Sequence, residues 1–440
     1  MKKIIYILML SLVLLCAGCQ KNNQLTVRYL NFKPEIANVY KKIAQEYQQE
    51  TGVKVEIETA ASGTYESTLQ ARMGTNKAPT IFQINGPIGY LGWKDYCLDL
   101  KDTDLYDKLL DKELAIKSGD GIYGIPNVLE GYGIIYNNEI MKKYFNASWK
   151  STDFMSVSEI NSFDKLKMVV EDMQNNKDKL GINGVFAATS LKSGEDWRWQ
   201  THLFNVILNA EISSSTRNNF ENYMNLEFKS IEKYKNIFDL YIDNSTKEKT
   251  SLGTVTVSDS MAEFALGKCA MVQNGNWAAS QVLGTSGNIV KSEDIKFMPI
   301  YMGLENEENQ GICIGTENYL SINKNSTKEE QDASIEFLEW LYLSEKGSKF
   351  VKEDLKFISP FMKYEDEEIS DPLTLEVIKW ASNSDYNNVE WDFTIIPSIA
   401  FKEDFGANLL KYSQSKAEWN DVVENMKNKW KTEWGLLTKK

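Results

Sequence analysis

Tryptophans that stand next to amides and carboxylates are the residues of this sequence whose types could do chemistry on a ligand. Trp277 follows Asn276 in MVQNGNWAAS, and Trp197 and Trp199 lie in GEDWRWQTHLF. Trp391 stands in NVEWDFTIIPS. For any single tryptophan, packing in a core is the common role, because its ring is large and mostly apolar. In this sequence, however, several tryptophans stand beside polar groups at the ends of predicted elements. That arrangement favours a binding surface.

The polar neighbours of these rings fit a sugar. A pyranose has an apolar face of C–H groups and a rim of hydroxyls, so a protein can stack a flat ring on the face and bond the rim with amides and carboxylates. Asn85, Asn276 and Glu130 are side chains suited to the rim. These residue types favour a site that binds a polyhydroxyl ligand without covalent chemistry.

Other chemistries find little support. The one histidine, His202, excludes a zinc site of several imidazoles, and beside Leu203 and Phe204 it is more typical of a packed residue than of a base. GDGIYG matches a dinucleotide fingerprint, but IP follows it instead of a helix, so we interpret it as a hairpin turn. Glycosidase chemistry needs only two carboxylates, and 62 acidic residues leave that alternative open. We predict no catalytic residues, no metal and no cofactor.

The charge balance narrows the partners. With 49 Lys+Arg against 62 Asp+Glu the formal net charge is −13, and an acidic surface repels nucleic acid and anionic headgroups. Arginine occurs at four positions, Arg28, Arg72, Arg198 and Arg217. A site for phosphates or several carboxylates normally uses guanidinium groups. The composition therefore predicts a neutral ligand and no nucleic-acid partner.

The first residues are typical of an exported protein. An apolar run of 12 residues from Ile4 to Leu15 follows two lysines, which suits a signal peptide and is shorter than the ~20 residues of a membrane-spanning helix. LLCAGCQ then resembles the lipobox of bacterial lipoproteins, in which the cysteine, here Cys19, is acylated, although Cys16 stands where that motif usually has leucine. The expected segments are a signal peptide over 1–18 and a lipidated N-terminus and tether over 19–24. We expect a palmitate-type anchor at the extracellular face of the cell membrane of a Gram-positive bacterium; the alternative is a secreted protein cleaved nearby.

The rest of the chain alternates strand and helix patterns. QLTVRYLNF alternates at period two, residues 34–52 repeat apolar positions at helical spacing, and VKVEIE alternates again. This β-α-β order predicts a right-handed crossover between parallel strands. Later, Ser326 and Glu329 have the spacing of a capping box that starts a helix. The length of 440 residues favours two lobes of roughly 200 residues each, and the fold class is α/β.

Three segments carry a resemblance to a known family: GIYGIPNVLEGYGIIYN (121–137), FALGKCAMVQNGNW (264–277) and the segment 315–351 that begins GTENYLSINKN. They resemble the family 1 extracellular solute-binding proteins, the sugar-binding lipoproteins of ABC importers, related in fold to maltose-binding protein. The resemblance covers nearly the whole mature chain and implies a two-lobed, periplasmic-binding-protein-like (type II) α/β fold with the ligand between the lobes. The implied ranges are lobe one over 25–129 and 302–346, lobe two over 130–301 and 347–440, and three crossings near Leu129–Gly133, Pro299–Tyr301 and Lys346–Phe350.

The resemblance also implies roles for single residues. Trp277 and Trp197 would be stacking platforms from lobe two, and Glu130 and Asn85 would bond hydroxyls. Asn85 stands where maltose-binding protein has an aspartate, so the sugar preference does not carry over. Further candidates are Trp199, Trp391, Asn276 and the turn 62–65 with Thr64 and Tyr65.

The function that the resemblance implies is capture of a neutral oligosaccharide outside the cell and its delivery to ABC permease subunits in the membrane. We expect a monomer that closes its hinge over the sugar. Two alternatives stay open: an exported glycoside hydrolase, and a binding protein for another small polar ligand such as a glycerol-phosphate ester. Intact recovery of a bound sugar would separate the first alternative from an importer component.

Overall fold

The computed structural model describes residues 25–61, 64–212, 220–364 and 369–437. The predicted signal peptide, Cys19 and the tether lie outside these ranges, and so do Ser62 and Gly63 of the predicted turn. Within the described residues, no helix has both the length and the apolar character needed to span a membrane.

Six strands form the first sheet, in the order β2–β1–β3–β10–β5–β4. Their bounds are β1 Thr26–Asn31, β2 Lys54–Thr59, β3 Ile81–Asn85, β4 Ile116–Ser118, β5 Gly121–Pro126 and β10 Asn318–Ile322. β1 pairs in parallel with β2 and β3, which confirms the predicted β-α-β crossover. β10 runs antiparallel to β3 and to β5.

Five strands form the second sheet, in the order β11–β9–β6–β7 with β8 also paired to β6. Their bounds are β6 Glu130–Asn137, β7 Met271–Gly275, β8 Ile295–Met298, β9 Gln310–Gly315 and β11 Asn387–Glu390. β6 is the central strand, because it pairs antiparallel with β7 on one side and with β8 and β9 on the other. The two sheets with their helices are the two lobes of the predicted α/β fold.

The helices lie on both faces of the two sheets. Numbered along the chain they are α1 Ala37–Thr51, α2 Tyr65–Met73, α3 Gly86–Trp93, α4 Asp104–Asp107, α5 Asn138–Phe145, α6 Phe163–Asn175, α7 Lys177–Leu180, α8 Phe204–Glu211, α9 Phe220–Met224, α10 Ile231–Asp243, α11 Val257–Ala265, α12 Ala278–Leu283, α13 Lys328–Leu343, α14 Glu345–Lys349, α15 Pro372–Ser382, α16 Ile399–Ser413 and α17 Trp419–Leu437. Two π-helical turns lie at Arg198–Leu203 and Phe350–Asp354, and a 3-10 turn lies at Asp392–Ile395.

Apolar clusters cover both faces of each sheet. In β3, Ile81 packs with α1 and α13, whereas its neighbour Phe82 packs with α2 on the other face. In β6, Ile134 and Ile135 enter two different clusters in the same way. Consecutive strand side chains point to opposite faces, so a strand covered on both sides reads as a continuous apolar run. Each lobe is therefore a sheet between two helical layers.

The strand pairing places two crossings later than predicted. β9 pairs with β6 and β11 of the second sheet, so the chain returns to the first sheet at residues 316–317, between β9 and β10, rather than near Pro299–Tyr301. Val351 and Phe357 still pack in the first lobe, whereas Leu373 packs in the second, which puts the last crossing between 357 and 373 rather than at 346–350. The ranges 302–346 and 347–440 each mix the two lobes, because a strand pattern does not encode which sheet the strand joins.

Two local signals can be compared with the structure. GDGIYG is a hairpin turn as predicted, since Ser118 pairs with Gly121 and Gly119 has a positive φ of 56°. The capping box that starts α13 uses Thr327 and Glu330, one residue later than predicted. Both pairs have the same spacing in the sequence, so the pattern could not choose between them.

Candidate functional site

Aromatic rings gather where β7 ends and the first π-helical turn begins. Trp277 follows β7, and its ring centroid lies 6.0 Å from that of Trp197 and 5.5 Å from that of His202. The rings of Trp197 and His202 meet edge to face at 4.8 Å. Trp277 and Trp197 are half-buried and His202 is buried. We call Trp197, His202 and Trp277 the aromatic wall.

A second layer of rings supports the aromatic wall from inside the lobe. Tyr132 of β6 stacks on His202 with centroids 4.3 Å apart and planes at 10°, and its hydroxyl donates to the His202 carbonyl at 3.1 Å. Trp391 lies 5.5 Å from Tyr132, and Phe393 lies 5.3 Å from His202. Burial lowers the pKa of His202 well below its ordinary value, so the imidazole is neutral. His202 is thus the packed residue that its apolar neighbours indicated.

Glycines let two of the tryptophan rings lie against the backbone. A Cβ on Gly275 would lie 2.2 Å from the ring of Trp277, and a Cβ on Gly315 would lie 2.5 Å from the ring of Trp391. Asn276 ties the connecting turn to β6, because its Oδ1 accepts from the Gly131 N–H at 3.1 Å and its own N–H donates to the Gly131 carbonyl at 2.9 Å. These two hydrogen bonds therefore hold the turn that carries Trp277.

A buried ion pair joins the first lobe to the first residue of β6, close to the aromatic wall. Lys33, which follows β1, donates to both carboxylate oxygens of Glu130 at 2.8 and 3.0 Å. The Lys33 ammonium also lies 5.9 Å from the ring centroid of Trp277. Burial raises the pKa of Glu130, and the ammonium opposes that shift. Glu130 is near the predicted ligand position, with a partner that the sequence analysis did not identify.

Polar groups from both lobes meet at the end of β3. Asn85 donates to Glu317 at 2.5 Å, and the N–H of Gly86 donates to the Glu317 carbonyl at 3.1 Å. Burial lowers the pKa of Lys402 in α16. The negative charges of Glu317 and Glu66 act on the same ammonium and oppose that shift. Asn85 lies among carboxylates and an ammonium that could also bond hydroxyls.

Two of the predicted residues belong to the core instead of the site. Trp199 is 1% exposed, packs on Phe238 with centroids 4.8 Å apart, and donates its indole N–H to the Ser190 carbonyl. Tyr65 is buried in the first lobe, where its hydroxyl accepts from the Gln83 N–H at 2.6 Å. Both side chains are engaged inside a lobe, so their predicted ligand contacts stay predictions that this placement does not support.

Of the remaining predicted residues, some lie at the aromatic wall and others lie away from it. Thr64 is exposed and donates to the Ala61 carbonyl at 2.9 Å, which caps its own turn. Trp391 is buried in the layer behind the aromatic wall, where its indole nitrogen has no hydrogen-bond partner among the described residues. Five residues of the predicted set lie at the aromatic wall or directly around it: Trp277, Trp197, Glu130, Asn276 and Trp391. Asn85 lies at the end of β3.

Sequence reasoning missed several site residues. Lys33 had a usable signal, because it follows a parallel strand, and ligands of α/β sheets bind at the carboxyl ends of such strands. Arg198 and Gln273 had no such signal in the sequence. Arg198 is buried beside the aromatic wall by the π-helical turn, and Gln273 by its place in β7. Asp196, just before that turn, is buried, which raises its pKa to about 6.

Solved structures of other proteins share this fold. A chitin oligosaccharide binding protein is 17% identical with a TM-score of 0.71, over 93% of this chain and 98% of that chain. The binding protein RafE in complex with raffinose is 17% identical with a TM-score of 0.68, over 94% and 99%. A sugar transporter from Bacillus licheniformis in complex with stachyose is 17% identical with a TM-score of 0.66, over 93% and 100%. At such identities the likeness concerns the fold.

Comparison by sequence identifies the family. No curated protein sequence matches the chain. The family model for bacterial extracellular solute-binding proteins matches residues 42–375, which is more than half of the 440 residues and includes Glu130, Trp197 and Trp277. The chain therefore belongs to the bacterial extracellular solute-binding proteins.

Proposed function

We propose that this protein captures an oligosaccharide between its two lobes and delivers it to the permease of an ABC importer. The observation that carries the proposal is the aromatic wall with the Lys33–Glu130 pair beside it. Half-buried indole rings stack on the C–H face of a sugar, and adjacent charged groups bond its hydroxyls. Structures of proteins with the same fold have been solved in complex with raffinose and with stachyose, which supports this ligand class.

The proposed mechanism is capture followed by closure. The sugar first stacks on the aromatic wall of the second lobe, and the first lobe then brings Lys33 and Asn85 to its hydroxyls. A ligand shifts the equilibrium toward the closed form only if it binds that form better, and contacts from both lobes satisfy this condition. The closed form would be the species that the permease recognises.

The location of the protein is part of the proposal. The family is extracellular, and a lipid anchor at Cys19 would hold the folded body at the membrane face. A lipidated protein with a short tether stays within reach of a permease in the same membrane. We also propose that it works as a monomer, with the permease subunits as its protein partners.

The pairing of Glu130 with Lys33, whose ammonium lies by the Trp277 ring, favours binding over catalysis. Both oxygens of Glu130 accept from the Lys33 ammonium. A glycosidase needs one carboxyl group that can give up a proton and a second one across the scissile bond. A carboxylate whose two oxygens both accept from an ammonium suits an acceptor of sugar hydroxyls.

The test is thermal unfolding of the chain from Gln20 onward with raffinose, stachyose, chitotriose, xylotriose, monosaccharides and glycerol 3-phosphate. A ligand at 100 times its dissociation constant adds about 2.7 kcal/mol to the free energy of unfolding. We expect a clear rise in Tm with one oligosaccharide class and recovery of that sugar intact. A shift only with glycerol 3-phosphate, or release of cleavage products, would contradict the proposal.

A further inference from the structure

Arg198 is a buried charge that lacks a hydrogen-bond partner within the described part of the chain. Its side chain is 1% exposed, and none of its three guanidinium nitrogens has a partner among the described residues. The adjacent Glu195 carboxylate bonds Lys192 at 2.9 Å and the Val257 N–H at 2.7 Å, and it acts on Arg198 only through its charge. Buried donors left unpaired are costly, so such a group calls for a partner that the described residues do not supply.

The guanidinium lies against one ring of the aromatic wall. Its central carbon is 4.1 Å from the ring centroid of Trp197, so one face of that indole is covered. The Arg198 carbonyl accepts from the Gln273 side chain at 3.0 Å, which fixes the first residue of the π-helical turn to β7. Turns of π-helix concentrate at functional sites. Arg198 therefore belongs to the same site as Trp197.

The neighbours of Arg198 also carry unsatisfied polar atoms. Gln273 Oε1 and His202 Nδ1 are buried and have no partner among the described residues. Gln273 Oε1 is an acceptor that requires a donor, whereas the guanidinium nitrogens are donors. An acid group would satisfy the guanidinium and leave the amide oxygen unpaired. Hydroxyl groups both donate and accept, so a neutral sugar ring satisfies both kinds of atom.

We propose that Arg198, Gln273 and His202 form a hydrogen-bonding subsite for the hydroxyls of one neutral sugar ring, reached when the Trp197 ring moves off the guanidinium. The inference rests on the proposed function and names the residues that set its hydroxyl specificity. Arg198 donates to adjacent hydroxyls through its planar fork, and Gln273 Oε1 accepts from one of them. Trp197 then serves both as stacking platform and as cover of the subsite.

The experiment measures which hydroxyl depends on Arg198. Calorimetry gives the affinity of wild type and of Arg198→Gln for whichever of raffinose, stachyose, chitotriose and xylotriose raises Tm most, and for its monodeoxy analogues. We expect Arg198→Gln to bind the parent sugar about tenfold more weakly. One deoxy analogue should bind wild type about as weakly as Arg198→Gln binds the parent sugar. The variant should bind that analogue no more weakly than wild type does, because the missing hydroxyl and the missing donors belong to one interaction.

Arg198→Lys keeps the positive charge without the planar fork and is the matched control. It should lose part of the affinity for the parent sugar and retain part of the preference for that sugar over the deoxy analogues. If Arg198→Gln does not fold, Arg198→Lys is compared with wild type on the deoxy analogues instead. If the variant loses the same factor with the parent sugar and with every analogue, Arg198 only positions Trp197 and the subsite is excluded.

Two further outcomes would overturn the proposal. Trigalacturonate binding far more tightly than neutral galactotriose, with an affinity that falls steeply as salt rises, would make Arg198 the counter-ion of an acid group. No rise in Tm with any sugar would mean that the proposed function itself fails, and the subsite with it. The first outcome leaves oligosaccharide capture in place, so the two failures are distinguishable.

Discussion

At the scale of single residues, Trp277 is the side chain on which the proposed stacking depends. Its ring is half-buried beside Trp197, with the Lys33 ammonium 5.9 Å from its centroid. We expect Trp277→Ala to lose about 2 kcal/mol of sugar binding, about thirty-fold in affinity, because the C–H face of the sugar loses its apolar partner. Calorimetric titration with the sugar found in the thermal screen measures this loss.

Trp340→Ala is the matched control for that variant. Trp340 is also half-buried, but it packs on Tyr47 in the first lobe, 5.2 Å between centroids. It should lower Tm without changing affinity. Equal affinities for wild type and Trp277→Ala would remove the stacking role.

Asp196 gives a pH dependence at the same scale. Burial raises its pKa from the ordinary 3.8 to about 6, so the folded state favours the protonated carboxyl. Its contribution to stability is complete below pH 3.8 and is lost as pH rises through 6. Between pH 7 and pH 5 the free energy of unfolding of wild type should therefore rise by about 1 kcal/mol more than that of Asp196→Asn. Urea unfolding of both proteins at the two pH values gives this difference, and parallel changes would contradict it.

At the scale of elements, the end of β7 determines where the indole of Trp277 lies. Gly275 pairs with Tyr132 of β6, and a Cβ there would lie 2.2 Å from the Trp277 ring. We expect Gly275→Ala to keep the strand pairing but push the ring away, which lowers sugar affinity about tenfold and shifts the indole fluorescence. Fluorescence spectra and the same titration measure both effects.

Gly435→Ala provides the comparison for that substitution. Gly435 lies in α17, and an added Cβ would meet nothing within 4 Å among the residues that the structure describes. Alanine should be neutral or slightly stabilising in such a helix. An unchanged spectrum for Gly275→Ala would show that the glycine is not needed to seat the ring.

At the scale of the whole molecule, the two lobes meet at Gly86. This glycine has φ +59°, and a Cβ would lie 2.5 Å from the Cβ of Thr394 in the 3-10 turn of the second lobe. We expect Gly86→Ala to obstruct closure, so that the sugar-dependent decrease in the radius of gyration becomes smaller and affinity falls. Small-angle X-ray scattering with and without the bound sugar measures the closure.

Gly52→Ala separates the clash from backbone strain. Gly52 also has a positive φ, +77°, at the end of α1, but an added Cβ would meet no described atom within 4 Å. It should cost about 1 kcal/mol of stability and leave closure unchanged. Normal closure in Gly86→Ala would mean that this contact does not limit how far the lobes approach.

Much of the architecture follows from patterns within a few residues. Period-two and helical spacing predicted β1, α1 and β2 and their parallel crossover, and the glycines of GDGIYG predicted a hairpin. The resemblance implied a stacking role for Trp277, and the sequence places this residue directly after the strand β7, beside which the structure has Trp197. These features depend on local sterics and on neighbours along the chain, so the sequence by itself determined them.

Other features were decided only by the tertiary structure. Trp197 and Trp199 are two residues apart and equally tryptophan, yet one lies in the aromatic wall and the other is buried on Phe238, because the π-helical turn sets their directions. The short apolar run of β9 fits either sheet, and its partner became fixed only by pairing with β6. Long-range pairing and burial depend on residues far away in sequence, so no local pattern contains them.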